Sequence, residues 1–240
     1  MSGAAGVELD QVRFAYGATP FSFDLRFPPG AISAVMGPSG SGKSTLLHLV
    51  AGFETPEAGR VLIAGQDVTA LPPERRPVTV VFQENNLFAH LPVEMNVALG
   101  VKTNLRLSAA ERARVAESLA RVGLGGKEKR LPRELSGGER GRAALARALL
   151  RDRPVLLLDE PFAALGPALR VEMLDLLGEL QRERDLTVLL VTHQPEDAER
   201  LASHMVFLED GAVSAAGPVN EFFGGLGPER FRRYVGRRKS

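Results

Sequence analysis

The chain has 240 residues, 44% hydrophobic and 25% charged, which suits one large domain or a core with a subdomain. Its formal net charge of +1 gives no overall electrostatic footprint for nucleic acid, and the absence of cysteine excludes disulfides and cysteine-ligated metals. The start, MSGAAGVELD, lacks a basic segment followed by an apolar core, so no secretory signal is expected there. The aliphatic runs are far shorter than the roughly 20 apolar residues that cross a bilayer. If the chain serves a membrane process, another chain must supply the membrane part.

Residues 7–14 read as a strand pairing near a second one, in which Phe21, Phe23, Leu25 and Phe27 alternate with Ser22, Asp24 and Arg26. Residues 31–36 form a short apolar run that Gly37 stops. There Gly37-Pro38-Ser39-Gly40-Ser41-Gly42-Lys43-Ser44-Thr45 fits G-x-x-x-x-G-K-[ST], between a predicted strand and a predicted helix. Glycines let backbone N–H groups turn inward around phosphates. Lys43 adds a point charge for the β- and γ-phosphates, and the Ser44 hydroxyl suits Mg²⁺.

Further strands are expected at 61–64, 78–82, 155–158 and 188–191. The last two are short apolar runs of the kind covered on both faces. Residues 87–135 lack good strand runs and read as a helical insertion, with Ser108 and Glu111 as a capping box before Val115, Leu119 and Val122. Leu135-Ser136-Gly137-Gly138-Glu139 precedes a helix rich in Ala, Leu and Arg, so its backbone N–H groups offer a second anion site. Leu156-Leu157-Leu158-Asp159-Glu160 sets two acids at a strand's carboxyl end, where parallel sheets place their sites. Adjacent strand residues face opposite ways, so the two acids can play different parts. Asp159 would hold Mg²⁺ through its water shell, and Glu160 would orient and polarise the attacking water. Pro167 opens a helix with Met173, Leu176, Leu177 and Leu180 at helical spacing, and Asp210-Gly211 turns a hairpin. Strands alternating with helices predict an α/β fold with a largely parallel sheet.

One chain thus holds two anion sites but a single phosphate loop. LSGGE resembles the LSGGQ signature of ABC-transporter ATPases, with Glu139 in place of glutamine. The resemblance runs in order along nearly the whole chain. It implies a P-loop NTPase core with a mainly parallel sheet, an N-terminal antiparallel β subdomain and an inserted helical signature subdomain. Residues 1–225 would be the ATPase domain, with the insertion at about 87–138. It also implies a head-to-tail dimer of two copies, in which Ser136, Gly137, Gly138 and Glu139 of one contact the ATP held by residues 37–45 of the other. Tyr16 lies where the family stacks an aromatic on adenine. Gln83 matches the glutamine that reaches Mg²⁺ and water, and His193 matches the histidine on the γ-phosphate, so Glu160, His193 and Gln83 form the implied catalytic set. Ser44, Gln83 and Asp159 form the implied Mg²⁺ set.

Residues 72–100 are similar to the same region of the ATP subunits of thiamine importers. RRPV, QENNLF followed by HL, Met95-Asn96, and later PALR carry the likeness. It implies ATP hydrolysis on the cytoplasmic face of the membrane, coupled to a permease and indirectly to a binding protein that select thiamine or a thiamine phosphate. Leu87–Leu91, around Phe88, would form either part of a groove for a permease helix or core. Other small solutes, a metal ion, polyamine or anion, stay open. Gly166 stands where the family has an aspartate, which leaves open an ATP-binding scaffold that hydrolyses little. A translation or DNA-repair relative would need a second cassette, a coiled coil or a basic surface. Residues 226–240 are expected to be a solvated basic tail, with anionic lipid headgroups as an alternative contact.

Overall fold

In the computed structural model, which describes residues 6–82, 86–224 and 227–236, β1 (Val7–Tyr16) and β2 (Thr19–Phe27) pair antiparallel. The alternation expected of β2 is present: Phe21, Phe23, Leu25 and Phe27 are buried, and the residues between them are exposed. The apolar run becomes β3 (Ile32–Met36), buried throughout, followed by α1 (Lys43–Ala51), β4 (Ala58–Ile63), β5 (Gln66–Asp67) and β6 (Val78–Val81). Next come α2 (Val93–Ala98), α3 (Ala109–Arg121), α4 (Gly137–Leu150), β7 (Val155–Asp159) and α5 (Pro167–Arg184). The chain continues as β8 (Thr187–Val191), α6 (Pro195–Leu201), β9 (His204–Glu209), β10 (Ala212–Pro218), α7 (Val219–Phe223) and α8 (Glu229–Tyr234).

The chain divides into two compact units. The first takes residues through Val78, Pro154–Asp159 and Gly178 onward; the second takes Thr79–Arg153 and Glu160–Leu177. In the first unit the strand order is β5-β4-β1-β2-β10-β9-β3-β8-β7. The run β9-β3-β8-β7 is parallel, while β1, β2, β4 and β5 pair antiparallel. This is the α/β arrangement expected, with an antiparallel N-terminal wing. The parallel register puts Val35 and Asp159 each opposite Val191, so β3, β8 and β7 deliver their following loops to one sheet edge. Asp210 and Gly211 both take positive φ in the hairpin joining β9 to β10, as a tight primed turn requires.

Buried Arg76, from RRPV, donates to the Leu49 and Val50 carbonyls at 2.6 and 3.0 Å and to those of Thr69 and Leu71 at 2.9 Å. A cation at the carboxyl end of α1 meets the negative pole of that helix, so it braces the helix that begins at Lys43.

In the second unit α2, α3 and α4 follow one another between residues 93 and 150. Val93, Val97, Val115, Leu119, Ala143 and Ala146 share one core. The capping box of α3 forms as expected: Ser108 Oγ accepts from Glu111 N at 3.2 Å, and Ser108 N donates back to Glu111 Oε2 at 2.8 Å. Among the described residues, no helix is long and apolar enough to cross a membrane.

The segment expected as a solvated basic tail starts otherwise. Phe231 is fully buried, edge-on to Phe207, Phe222 and Phe223 with ring centroids 5.6, 5.3 and 5.3 Å away. Burying an aromatic ring anchors the segment, while neighbouring Arg230 keeps its side chain exposed and pairs with Glu209.

Candidate functional site

β3 ends at Met36, and the phosphate loop follows. Gly37 has φ +153°, and a Cβ there would sit 2.2 Å from the Leu208 carbonyl oxygen. Only glycine allows β9 to approach so closely. Gly42 precedes α1 in a left-handed conformation, with no side-chain cap on the helix start, so the first N–H groups of α1 have no such internal acceptor. Lys43 is buried and its Nζ donates to the carbonyls of Gly37 and Pro38 at 2.9 and 2.8 Å. The ammonium therefore lies inside the loop it serves. Pro38, Ser39 and Gly40 are exposed along the loop, while Ser41 and Thr45 are buried.

Ser44 Oγ donates to Asp159 Oδ2 at 3.1 Å, joining the end of β7 to the start of α1. Two hard oxygens side by side at a phosphate loop fit Mg²⁺, which keeps most of its waters and takes few protein ligands. Among the described residues, no cluster of three or more His, Cys, Asp or Glu offers a different metal site. Gln83, assigned to both the catalytic and the Mg²⁺ sets, lies outside the described residues.

Tyr16 is 44% exposed, edge-on to Phe14 and Phe21, and its hydroxyl donates to Glu54 at 2.9 Å. Partial burial, then Glu54, push that hydroxyl above its ordinary pKa. Phe21 lies against Gly42, where an added Cβ would be 2.8 Å from its ring. Tyr16 is thus tied through one aromatic ring to the phosphate loop, with its own ring still open to a base.

His193 follows β8. The backbone around it is pinned by buried Thr192, whose Oγ1 donates to buried Asp197 at 2.9 Å and accepts from Gln194 N at 3.1 Å. The His193 side chain is exposed, and its Nδ1 lies 3.2 Å from the Tyr234 hydroxyl. Sequence reasoning missed Tyr234. The signal was there: Phe231 and Tyr234 are three apart and share a helix face.

In the second unit, Ser136 caps α4. Its Oγ accepts from Glu139 N at 3.2 Å, and Ser136 N donates to the Glu139 carboxylate at 2.7 Å. Lys127 pairs with the same carboxylate. Lys127, then the Ser136 N–H, hold Glu139 at a pKa of about 2. Glutamate in place of glutamine therefore completes a reciprocal cap, with its charge offset by Lys127. Gly137 and Gly138 begin the helix, and their N–H groups have no preceding turn to bond. Buried Gly138 faces Leu165 and Leu169, which a Cβ would approach to 2.8 and 2.7 Å.

Glu160 follows Asp159 directly but has φ +47°, a left-handed conformation uncommon outside glycine. The separation of the two acids is therefore made by this turn and not by strand alternation, which ends with β7 at Asp159. Gly166 is exposed, its carbonyl accepts from Arg170 N at 3.0 Å, and nothing would lie within 4 Å of an added Cβ. Phe88 is 50% exposed, while buried Asn96 holds its backbone through bonds of 2.7 and 3.0 Å. For Phe88 itself, that places the side chain outside the core.

A family model described as "ABC transporter" matches residues 21–163. The thiamine import ATP-binding protein of Mesorhizobium japonicum is 64% identical over 96% of this chain and 91% of its own. That of Brucella suis biovar 1 is 58% identical over the whole of both chains. A dimeric post-hydrolysis state of the ATP-binding cassette MJ0796, bound to ADP and Pi, superposes with a TM-score of 0.79 at 31% identity. The match covers 89% of this chain and 98% of that one.

Proposed function

Since this chain belongs to the ABC transporter family, as one of its ATPases, we propose that it powers thiamine uptake through a membrane permease. The observation that carries the ATPase part is the phosphate loop with Lys43 seated inside it and Ser44 bonded to Asp159. The full-length likeness to thiamine import ATP-binding proteins supports the solute.

In this reading residues 37–45 wrap the phosphates of ATP, Lys43 neutralises β- and γ-phosphate charge, and Tyr16 stacks on the base. Ser44 and Asp159 would hold Mg²⁺, which supplies further positive charge to the phosphate oxygens when bound. Glu160 accepts a proton from water as that water attacks the γ-phosphorus. The bond from γ-phosphorus to the bridging oxygen breaks, and ADP and phosphate leave. His193 donates to the γ-phosphate. Ser136 and the N–H groups of Gly137 and Gly138 receive the γ-phosphate of a second copy, so two chains close head-to-tail around two nucleotides. Exposed Phe88 supports a docking surface for the permease, which in turn sets the chain against the cytoplasmic face of the membrane.

The test is uptake of labelled thiamine by the native host with the gene deleted, then restored as wild type or Glu160→Gln. Wild type should restore uptake and the variant should not. Unchanged thiamine uptake in the deletion strain, with another solute lost, would overturn the assignment of solute.

A further inference from the structure

His193 has a firmly held backbone, but its imidazole reaches out from that backbone into solvent. An imidazole acts on phosphate oxygen only with a proton on the nitrogen that faces it. Neutral imidazole carries one proton on either ring nitrogen, and the partner of the other nitrogen selects which. Here that partner comes from the far end of the chain. The Tyr234 hydroxyl lies 3.2 Å from His193 Nδ1.

Tyr234 is itself held. Its ring packs on Phe207 with centroids 5.4 Å apart, one turn beyond the fully buried Phe231. Arg230 pairs with Glu209 at the end of β9. Phe207 lies in β9 opposite Met36, the last residue of β3 before the phosphate loop. One path of direct contacts within the first unit therefore links the strand that launches the phosphate loop, α8 and the His193 ring.

We infer that Tyr234 is a positioning residue for His193: its hydroxyl donates to Nδ1, fixes the ring and keeps the proton on Nε2. In that tautomer Nε2 is a donor to a phosphate oxygen. With the proton on Nδ1 instead, Nε2 would present a lone pair to an anion and repel it. In this role Tyr234 acts on the reaction through His193 and not by holding the nucleotide itself. The inference rests on the reading of His193 as the γ-phosphate donor, and the controls separate the two.

The experiment uses the full chain as wild type, His193→Ala and Tyr234→Phe. Phenylalanine keeps the ring against Phe207 and removes only the hydroxyl, so folding is preserved. With four histidines in the chain, the ring nitrogens can be resolved by ¹⁵N NMR. In wild type His193 should show a protonated Nε2 and a hydrogen-bonded, unprotonated Nδ1. Tyr234→Phe should shift that tautomer population and lower kcat about three- to tenfold, with KM for ATP changed by less than about twofold. If His193→Ala abolishes turnover while Tyr234→Phe keeps wild-type kcat and an unchanged His193 spectrum, the positioning role is overturned. If His193→Ala turns over normally, the reading of His193 itself fails.

Discussion

The phosphate loop and the LSGGE loop both present a helix start to an anion, but they are finished differently. At residues 37–45 the cation is internal: Lys43 lies within the loop, Gly42 leaves α1 without a side-chain cap, and Asp159 reaches Ser44. At residues 136–139 the helix is capped by its own side chains. The Glu139 carboxylate there is already engaged by Lys127 and the Ser136 N–H. The first loop is furnished to hold a polyphosphate by itself. The second offers two backbone N–H groups and a hydroxyl, too little charge to hold one alone but suited to complete a site built elsewhere. That asymmetry is what a two-chain site requires of each chain.

Lys43→Ala attacks the self-sufficient side and should have the largest effect. ATP turnover should fall by about a hundredfold or more, with weakened binding of a fluorescent ATP analogue, because the phosphates lose their buried cation. Near-normal turnover would contradict the role of the loop.

Lys127→Met attacks the other side more gently. It leaves Glu139 uncompensated beside the position proposed for a second copy's γ-phosphate, so the ATP concentration at half-maximal rate should rise about three- to tenfold while binding to the isolated chain is unchanged. The same variant has a pH signature. Glu139 is held at about 2 when folded, below the ordinary 4.5, so its ion pair and cap stabilise fully above about pH 4.5. That stability is lost as pH falls toward 2. Melting curves of wild type and Lys127→Met should differ by a few degrees, about 2–4 °C at most, at pH 7, and the gap should close progressively as pH falls from about 4.5 toward 2. A gap independent of pH would show that Lys127 acts by packing alone.

Gly166→Asp should have the smallest effect. The position is exposed, has room for a side chain and precedes α5, so aspartate adds an N-terminal cap worth a few tenths of a kcal/mol over glycine. Melting temperature should stay level or rise by about 1 °C. Measured with permease, the ATPase rate should become more cooperative in ATP. Identical curves would make Gly166 a neutral departure.

Much of the fold is legible in short stretches of the sequence. The alternation of β2, the apolar β3, β7 and β8, the Ser108 cap and the Asp210-Gly211 turn each rest on local chemistry, which such a stretch contains in full. The Ser136–Glu139 box is equally local. It has the same spacing as Ser108 and Glu111, but its glycines draw attention to anion binding and away from capping. The partners of Glu139, His193 and Arg76 are not legible in this way. Lys127 lies 12 residues before Glu139, Tyr234 41 residues after His193, and the carbonyls of Leu49 and Val50 27 and 26 residues before Arg76. Such pairs are set by how elements pack. Arg232 and Arg233 likewise disguise Phe231 and Tyr234 as part of a charged tail.

The most direct test of the two-chain site is the mass in solution of Glu160→Gln with ATP and Mg²⁺, by sedimentation. Glutamine cannot take the proton from water, so ATP should stay bound and hold two copies together, doubling the 25.8 kDa monomer. Adding Ser136→Arg, which fills the complementary loop while leaving residues 37–45 intact, should return the species to monomer with ATP still bound. A Glu160→Gln chain that binds ATP yet stays monomeric, or a dimer indifferent to Ser136→Arg, would contradict the division of the site between two copies.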